Sequence, residues 1–502
     1  MATPIPSNRA ALTLDAIVLA TRGTIARQGS ATSIVGITTD SRAVLPGGLF
    51  IALRGESHDG HRFVETAAAR GAAAAVVERG RASSFAAEAL AGMSLVEVDD
   101  SLVAFGDLAR VHLEAWRAGA SEAHPRRVIA ITGSAGKTTT KELTAALVAA
   151  VGPTHRTAGN LNNRIGVPSV VLGILEEHDF AVVEMGMSLP GELDAITAFA
   201  RPDVSLVTNV GLAHAEGVGG PDGVMREKGA VYRALGEGGV AVVNADDPRV
   251  IRAAQGTRAG LVVTFGTAES ADYRLAAREP APGGGSLVTI VCSEESVGLA
   301  PRILSIDLAL PGEAAALDLA AALAAQEAAS GVRLTALQIE AALANLRLDG
   351  RATVQRLGQD IVVLDDTYNA NPASMRAALQ TLAELAGPRR RVVVLGEMKE
   401  LGAHAESEHD ALGEALAGAG VAVAIGCGGL IDRTLARAAE LSPITVVRAA
   451  STDEATRKTL GIVRPGDAVL VKGSRSVGAE RVVAALTETW PSADLSATSV
   501  LK

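Results

Sequence analysis

The sequence predicts an α/β protein of three domains: a central parallel-sheet domain with a phosphate-binding loop, a smaller α/β domain before it and a doubly wound domain after it. Three observations lead there. The chain has 502 residues, too many for one ordinary domain. Short apolar runs of buried-strand type alternate with helical runs along most of its length, as in parallel sheets joined by crossover helices. Hydrophobic residues make up 48% of the chain and aromatic residues only 2%, so the cores must be built from Ala, Val, Leu and Ile, which suits parallel sheets covered by alanine-rich helices.

The first domain is expected over residues 1–122. Strands such as 48–53 and 73–77 alternate there with helical runs such as Phe63 to Arg70, and the polar stretch 119–125, ending in Pro125, breaks the pattern as a linker. The second is expected over 123–348, with strands at 128–131, 180–185, 204–207 and 240–244. Ligands on such a sheet sit at the carboxyl ends of the strands. Between 260 and 310 the character changes to short strands around the Pro280–Gly285 turn, a β-rich insertion or edge hairpin set, and an alanine-rich helix follows from Ala314 to Ser330. The third domain, 349–502, repeats the rhythm with strands at 361–364, 391–395, 421–425, 445–447 and 468–471.

Charge and cysteine usage exclude several functions. A net charge of -10 argues against a nucleic-acid or anionic-membrane surface. Cys292 and Cys427 lie far apart, with no spacing for a thiolate zinc site and no framework of disulfides, which fits a reducing cytoplasm. The start Met1 to Pro6 has no basic region followed by an apolar core. The longest apolar run, Ala314 to Ala325, is interrupted by Asp318. A cytoplasmic protein without membrane insertion is expected.

Chemistry concentrates at the strand ends. Ile129 to Thr139 runs from an apolar strand into Gly133-Ser134-Ala135-Gly136-Lys137-Thr138-Thr139. Glycines let backbone N–H groups approach anionic oxygens, the next helix points its positive end at them, Lys137 adds a charge and Thr138 offers a hydroxyl to Mg²⁺. The loop is the short form G-x-x-G-K-T, since Ile131 stands where the longer pattern has glycine. Asn160, Asn162 and Asn163 offer amides to a polar ligand, although asparagine clusters are also ordinary loops. Glu184 ends the next strand and His214 follows the one after, so both converge with Thr138 on one side of the sheet. Lys228, by composition alone, reads as a helical surface lysine. Asn244 closes a further strand within reach of a nucleotide base or ribose. In the third domain Asp365-Asp366-Thr367-Tyr368-Asn369-Ala370-Asn371-Pro372 follows an apolar strand, and two adjacent carboxylates there need partners or a cation. Lys472-Gly473-Ser474-Arg475 again places cations and hydroxyls after a strand, which suits a carboxylate or phosphate.

Together these segments resemble the Mur ligases, ATP-dependent amide-forming enzymes of peptidoglycan synthesis. The resemblance covers nearly the whole chain. It includes Thr39-Asp40-Ser41-Arg42, Pro46 to Phe50 and Asp59-Gly60-His61 in the first domain, and Thr132 to Thr138 as the ATP loop. Asn160 to Pro168, Asp366 to Pro372 and Gly396 to Gly402 are similar to the branch that adds D-alanyl-D-alanine to a UDP-N-acetylmuramoyl-tripeptide. The resemblance implies that Ser41, Arg42, Asn160, Asn162 and Asn163 meet the UDP-substrate, and that residues 133 to 139, Asn244, Arg351 and Asp366 meet ATP. It implies Tyr368, Asn369, Asn371, Lys472, Ser474 and Arg475 for the dipeptide. Lys137, Glu184, His214 and Lys228 would be catalytic, with Thr138 and Glu184 on one Mg²⁺ and His214 with a carbamylated Lys228 on a second.

The expected activity is ATP-dependent C–N ligation through an acyl phosphate, by a monomer serving cell-wall biogenesis and so cell shape and division. A related ligase with another amino-acid acceptor, or a catalytically impaired nucleotide-binding relative, stands as the alternative. One departure bears on the second. The family pattern L-x-G-x-H-N-x-x-N reads here as Leu310-Pro311-Gly312-Glu313-Ala314-Ala315-Ala316-Leu317-Asp318, without its histidine or asparagines.

Overall fold

A computed structural model describes residues 3–4, 6–31, 33–55, 58–90, 92–293 and 300–492. Met1, Ala2 and Ile5 of the N-terminal stretch, and 294–299 of the β-rich segment, lie outside them. The three-domain α/β architecture is present, one main sheet to each domain.

The first sheet has five strands in the order Thr24–Arg27, Ser94–Val98, Ala74–Glu78, Leu49–Ile51 and Ile37–Thr38, all but the first pairing in parallel. Asp59-Gly60-His61 braces it. The His61 ring is 4% exposed, its Nδ1 lies 2.6 Å from Asp59, and its Nε2 accepts the Glu78 N–H at 2.9 Å.

The central sheet has nine strands, and the expected 204–207 and 240–244 are found as Val204–Val207 and Val240–Asn244. Arg127–Thr132 lies between Val204–Val207 and Phe180–Glu184 and is covered on both faces. Val128 and Ala130 enter one core, Ile129 and Ile131 the other, as strand alternation requires. The β-rich segment is the far edge of this same sheet. Tyr273–Pro280 continues the parallel order, and Ser286–Cys292 and Arg302–Leu308 add antiparallel strands. Their alternate residues are buried because only one face is covered. The helix Glu313–Ser330 lies across that face with Ala316, Leu319, Ala320 and Leu323 fully buried.

Residues 119–125 separate the first two sheets in sequence but not in packing. The helix Ser101–Ala118, capped by Asp100 accepting the Leu102 and Val103 N–H groups, presents Phe105, Leu108, Ala109, Leu113 and Trp116 at helical spacing. These side chains share one hydrophobic core with Val167, Val170, Leu193 and Ile196 of the central domain. At Gly106 a Cβ would lie 2.9 Å from the Phe199 ring, so the two domains meet at backbone distance.

The third sheet has the order Thr353–Leu357, Ile361–Asp366, Ala468–Lys472, Arg391–Gly396, Val423–Cys427 and Thr445–Ala449, parallel except for its first strand. Its two cores are made almost wholly of its own residues. Among the described residues no helix is long and apolar enough to cross a membrane.

Candidate active site

The phosphate loop spans the gap between the strand Arg127–Thr132 and the helix Lys137–Ala149. Two glycines are obligatory there. Gly136 has φ +80, and a Cβ on it would meet Asp318 Oδ1 at 2.5 Å; a Cβ on Gly133 would meet Thr208 Oγ1 at 1.8 Å. Asn209 splints the loop, its carbonyl accepting the Ser134 N–H at 3.0 Å and its Oδ1 the Ala135 N–H at 2.9 Å. Gly136 caps the helix without a side-chain bond, so the first-turn amides face outward as an anion site.

This loop forms the floor of a cleft of about 890 Å³ between the central and third domains. Ser134, Ala135, Gly136, Lys137, Thr138 and Thr139 line it, as do Asn160, Asn162, Asn163, Glu184, His214 and Arg351. From the third domain come Asp366, Tyr368, Asn369, Asn371, Lys472, Ser474 and Arg475. The structure therefore brings most of the sequence-predicted residues to one place.

Five predicted residues lie outside its wall. Gly133 sits under the loop, where its carbonyl accepts both Lys137 Nζ at 2.7 Å and Lys228 Nζ at 2.9 Å. Lys228 is 1% exposed, which corrects its compositional reading as a surface lysine. Burial, and next the charge of Lys137, hold its amine well below the ordinary lysine range. Asn244 turns inward, donating to the Thr208 carbonyl at 2.7 Å and accepting the Asp246 N–H at 2.9 Å, which closes the turn after its strand and keeps it off the cleft wall. Ser41 is buried in the first domain, and Arg42 folds back onto Asp40 at 2.8 Å.

The acidic arm of the cleft is organised around Glu184, which is 2% exposed. Its carboxylate accepts from Thr138 Oγ1 at 2.7 Å and from Asn162 Nδ2 at 2.7 Å. Among the described residues no three His, Cys, Asp or Glu side chains cluster to hold a metal. Thr138 and Glu184 nevertheless fit Mg²⁺, which takes one or two protein oxygens and fills its octahedron with phosphate and water. His214 faces the third domain, its Nδ1 2.5 Å from Glu400, and this contact holds the Glu400 carboxyl below its usual range. His214 and Lys228 are thus engaged with different partners.

Across the cleft, Asp366 accepts from Lys472 Nζ at 2.5 Å and from the Ala352 N–H at 3.1 Å, while Asp365 takes the Thr367 hydroxyl at 2.7 Å. The adjacent carboxylates are satisfied separately. Tyr368 carries Arg351 on its face at 3.8 Å, with Arg475 at 5.3 Å. Ser474 Oγ donates to the Glu397 carbonyl at 2.6 Å. Asn371 caps the helix Pro372–Ala386 and donates to the Ser134 carbonyl at 3.3 Å, tying the third domain to the phosphate loop.

Sequence reasoning missed Asn209 and Lys141. Lys141 is fully buried one turn past Lys137, its Nζ 2.8 Å from Glu142 and 3.9 Å from Glu184; its i+4 spacing from Lys137 was the available signal.

Asp318 also lines the cleft, accepting from Thr140 Oγ1 at 3.0 Å, and burial pushes its carboxyl up to about 7. A carboxyl raised from 3.8 in the unfolded chain stabilises the fold fully below that value, and this contribution is lost as pH rises through about 7. Asp318→Asn keeps the acceptor for Thr140 and has no charge to bury. Its melting temperature should exceed that of the parent at pH 8, with the gap narrowing steadily toward pH 5. A gap independent of pH would contradict the assignment.

Known proteins share this three-domain architecture. The Mur ligase family catalytic domain matches residues 33–151, the Mur ligase middle domain 131–326 and the Mur ligase glutamate ligase domain 350–475. The UDP-N-acetylmuramoyl-tripeptide–D-alanyl-D-alanine ligase of Escherichia coli K12 is 37% identical over 92% of this chain and 95% of its own length, and that of Synechocystis 34% over 91% and 93%. The crystal structure of MurF from Acinetobacter baumannii superposes with a TM-score of 0.82 at 30% identity, covering 96% of this chain and all of the other. MurF from Thermotoga maritima, solved with ADP, gives 0.76 at 25% identity over 90% and 97%. With its three domains in family order and a phosphate loop opening into an interdomain cleft, the chain belongs to the Mur ligase family.

Proposed function

We propose that this protein joins D-alanyl-D-alanine to a UDP-N-acetylmuramoyl-tripeptide at the expense of ATP, as the cytoplasmic, monomeric ligase of peptidoglycan precursor synthesis. One observation carries the reading: the phosphate loop and the Asp366 to Pro372 segment form opposite walls of one cleft, linked by Asn371 and Ser134. A carboxylate must be activated before an amine can displace its oxygen, and this arrangement places activation and acceptance within one enclosure. A single chain supplies both walls, which supports a monomer; free Cys292 and Cys427 fit a reducing compartment.

In the first step a carboxylate oxygen of the tripeptide attacks the γ-phosphorus, the bond to the β-phosphate oxygen breaks, and ADP leaves. Lys137 and the first-turn amides of the loop neutralise the charge that gathers on the phosphoryl oxygens. Thr138 and Glu184 would hold Mg²⁺, whose chemistry there would be further neutralisation of phosphate charge. In the second step the dipeptide amine, its ammonium proton lost to solvent, attacks the acyl carbon; the tetrahedral adduct passes an N–H proton to the departing phosphate as the C–O bond breaks. Asn160, Asn162 and Asn163 are assigned to the UDP-substrate together with Ser41 and Arg42 of the first domain. Tyr368, Asn369, Asn371, Lys472, Ser474 and Arg475 are assigned to the dipeptide. The segments 1–122, 123–348 and 349–502 would then divide the substrates among them.

Carbamylation of Lys228 belongs to the same proposal. Its uncharged amine can add CO₂, forming an N–C bond and releasing a proton, and so place an anion beside Lys137. The whole reading is tested by phosphate release from purified protein with ATP and UDP-muramoyl-tripeptide. Turnover should require D-alanyl-D-alanine. Strong turnover with meso-diaminopimelate and none with the dipeptide would overturn the choice of acceptor.

A further inference from the structure

The cleft leaves the phosphate loop in two directions of unlike chemistry. Toward Asn162 and Glu184 it is polar. In the other direction it becomes a slot between the helices Glu313–Ser330 and Pro372–Ala386, walled by Leu310, Pro311, Ala314, Ala315, Ala377 and Ala378. Its ends are fixed. Asn371 holds the start of one helix against Ser134, and at Gly312 a Cβ would lie 2.5 Å from Thr381 Oγ1, so the helices close together there. Asp318 bounds the slot on the loop side, beside Gly136. A nucleotide with its phosphates on the loop has its flat apolar part directed here, since the other direction, Met187 apart, offers mainly polar and charged side chains.

Few side chains in this slot can read a base edge. The alanines, Leu310 and Pro311 have no polar side-chain atom. Thr381 Oγ1 donates to the Ala377 carbonyl at 2.9 Å, and its hydroxyl can turn to donate to a ligand or accept from one. Asp318 gives Oδ1 to Thr140, leaving Oδ2 for a ligand. With a carboxyl raised to about 7, that oxygen can donate or accept near neutral pH. Adenine presents an amino donor where guanine and hypoxanthine present a carbonyl acceptor, and a group able to play either part does not separate them. Apolar walls discriminate weakly, whereas a fixed hydrogen-bonding partner rejects analogues strongly.

We propose that the slot between these two helices holds the nucleotide base by shape and apolar contact, with no hydrogen-bonding partner of fixed polarity, so that the protein accepts purine nucleotides as a class rather than adenine specifically. This rests on the ATP-dependent reading above and extends it to base selectivity. The test is equilibrium displacement of a fluorescent ribose-labelled ADP from the full chain by ADP, GDP and IDP, which needs no ligase turnover. Dissociation constants within tenfold of one another are expected. A preference for ADP of more than tenfold overturns the proposal and leaves the ligase reading intact; failure to bind any of the three overturns both.

A variant locates the base independently. Ala314 is exposed at the slot's rim, and Ala314→Asn places an amide there without disturbing the core. The ratio of ADP to GDP affinity should change at least fivefold, while inorganic tripolyphosphate, which has no base, should compete as it does in the parent protein. An unchanged ratio would place the base elsewhere and overturn the proposal.

Discussion

Lys137→Ala should reduce ligation about 10³-fold or more while leaving the protein folded, because the residue sits where phosphoryl charge develops and contributes little to the fold. Removing one preorganised donor from such a position costs about 10²–10³ in turnover elsewhere, and here the donor carries a full charge. Its bond within the protein is to the Gly133 carbonyl at 2.7 Å, a carbonyl that Lys228 also reaches. Burial lowers the pKa of the Lys137 amine, with the Glu184 charge opposing, so the unliganded fold holds that charge at some cost. The melting temperature should therefore stay the same or rise. Phosphate release measured beside a thermal melt checks both halves, and undiminished turnover would refute the phosphate-loop assignment.

Lys228→Ala should cost about 10²-fold or more, although Lys228 lines no part of the cleft. The size of one lost electrostatic group in a closed site sets the scale. Its amine lies 2.9 Å from the Gly133 carbonyl with Lys137 as its charged neighbour, and both burial and that neighbour favour the neutral form. A neutral lysine contributes hydrogen bonds; a carbamylated one contributes an anion. Adding a short carboxylate such as acetate to the alanine variant separates these roles. Partial recovery of turnover is expected from the carbamate, whereas loss without recovery would reduce Lys228 to a buried strut. Retained full activity would remove it from the machinery altogether.

Where burial is two-sided, the structure follows the apolar pattern of the chain closely. Val204–Val207 and Val240–Asn244 begin and end where the apolar runs do, because strands covered on both faces admit a polar residue only when it finds a partner, as buried Ser205 does by donating to the Val231 carbonyl at 2.7 Å. The strand Thr353–Leu357 escaped notice since it is an antiparallel edge with its residues half-exposed. The same contrast holds in the site. Gly133 to Thr139 and Asp366 to Asn371 are contiguous, so their chemistry is visible in a single stretch. Glu400 meets His214, and Asn209 splints the loop, only through folding of distant segments. Asn244 shows the converse: a polar residue at a strand end that braces the turn it closes and does not line the cleft.

The core shared through the helix Ser101–Ala118 has a mechanical meaning. It welds the first domain to the second, whereas the buried cores of the third begin only at Leu357 and Leu364. The chain thus has three domains but two separately cored bodies. The chain crosses between them past Gly350 and Ala352, both with positive φ, and their facing surfaces meet through contacts that include Asn371 on Ser134, Glu400 on His214, the Arg278–Glu384 ion pair and Arg356 on the Pro282 carbonyl. The walls of the cleft are therefore split along one seam, while Ser41, Arg42, Asn160, Asn162 and Asn163 all lie on the welded half.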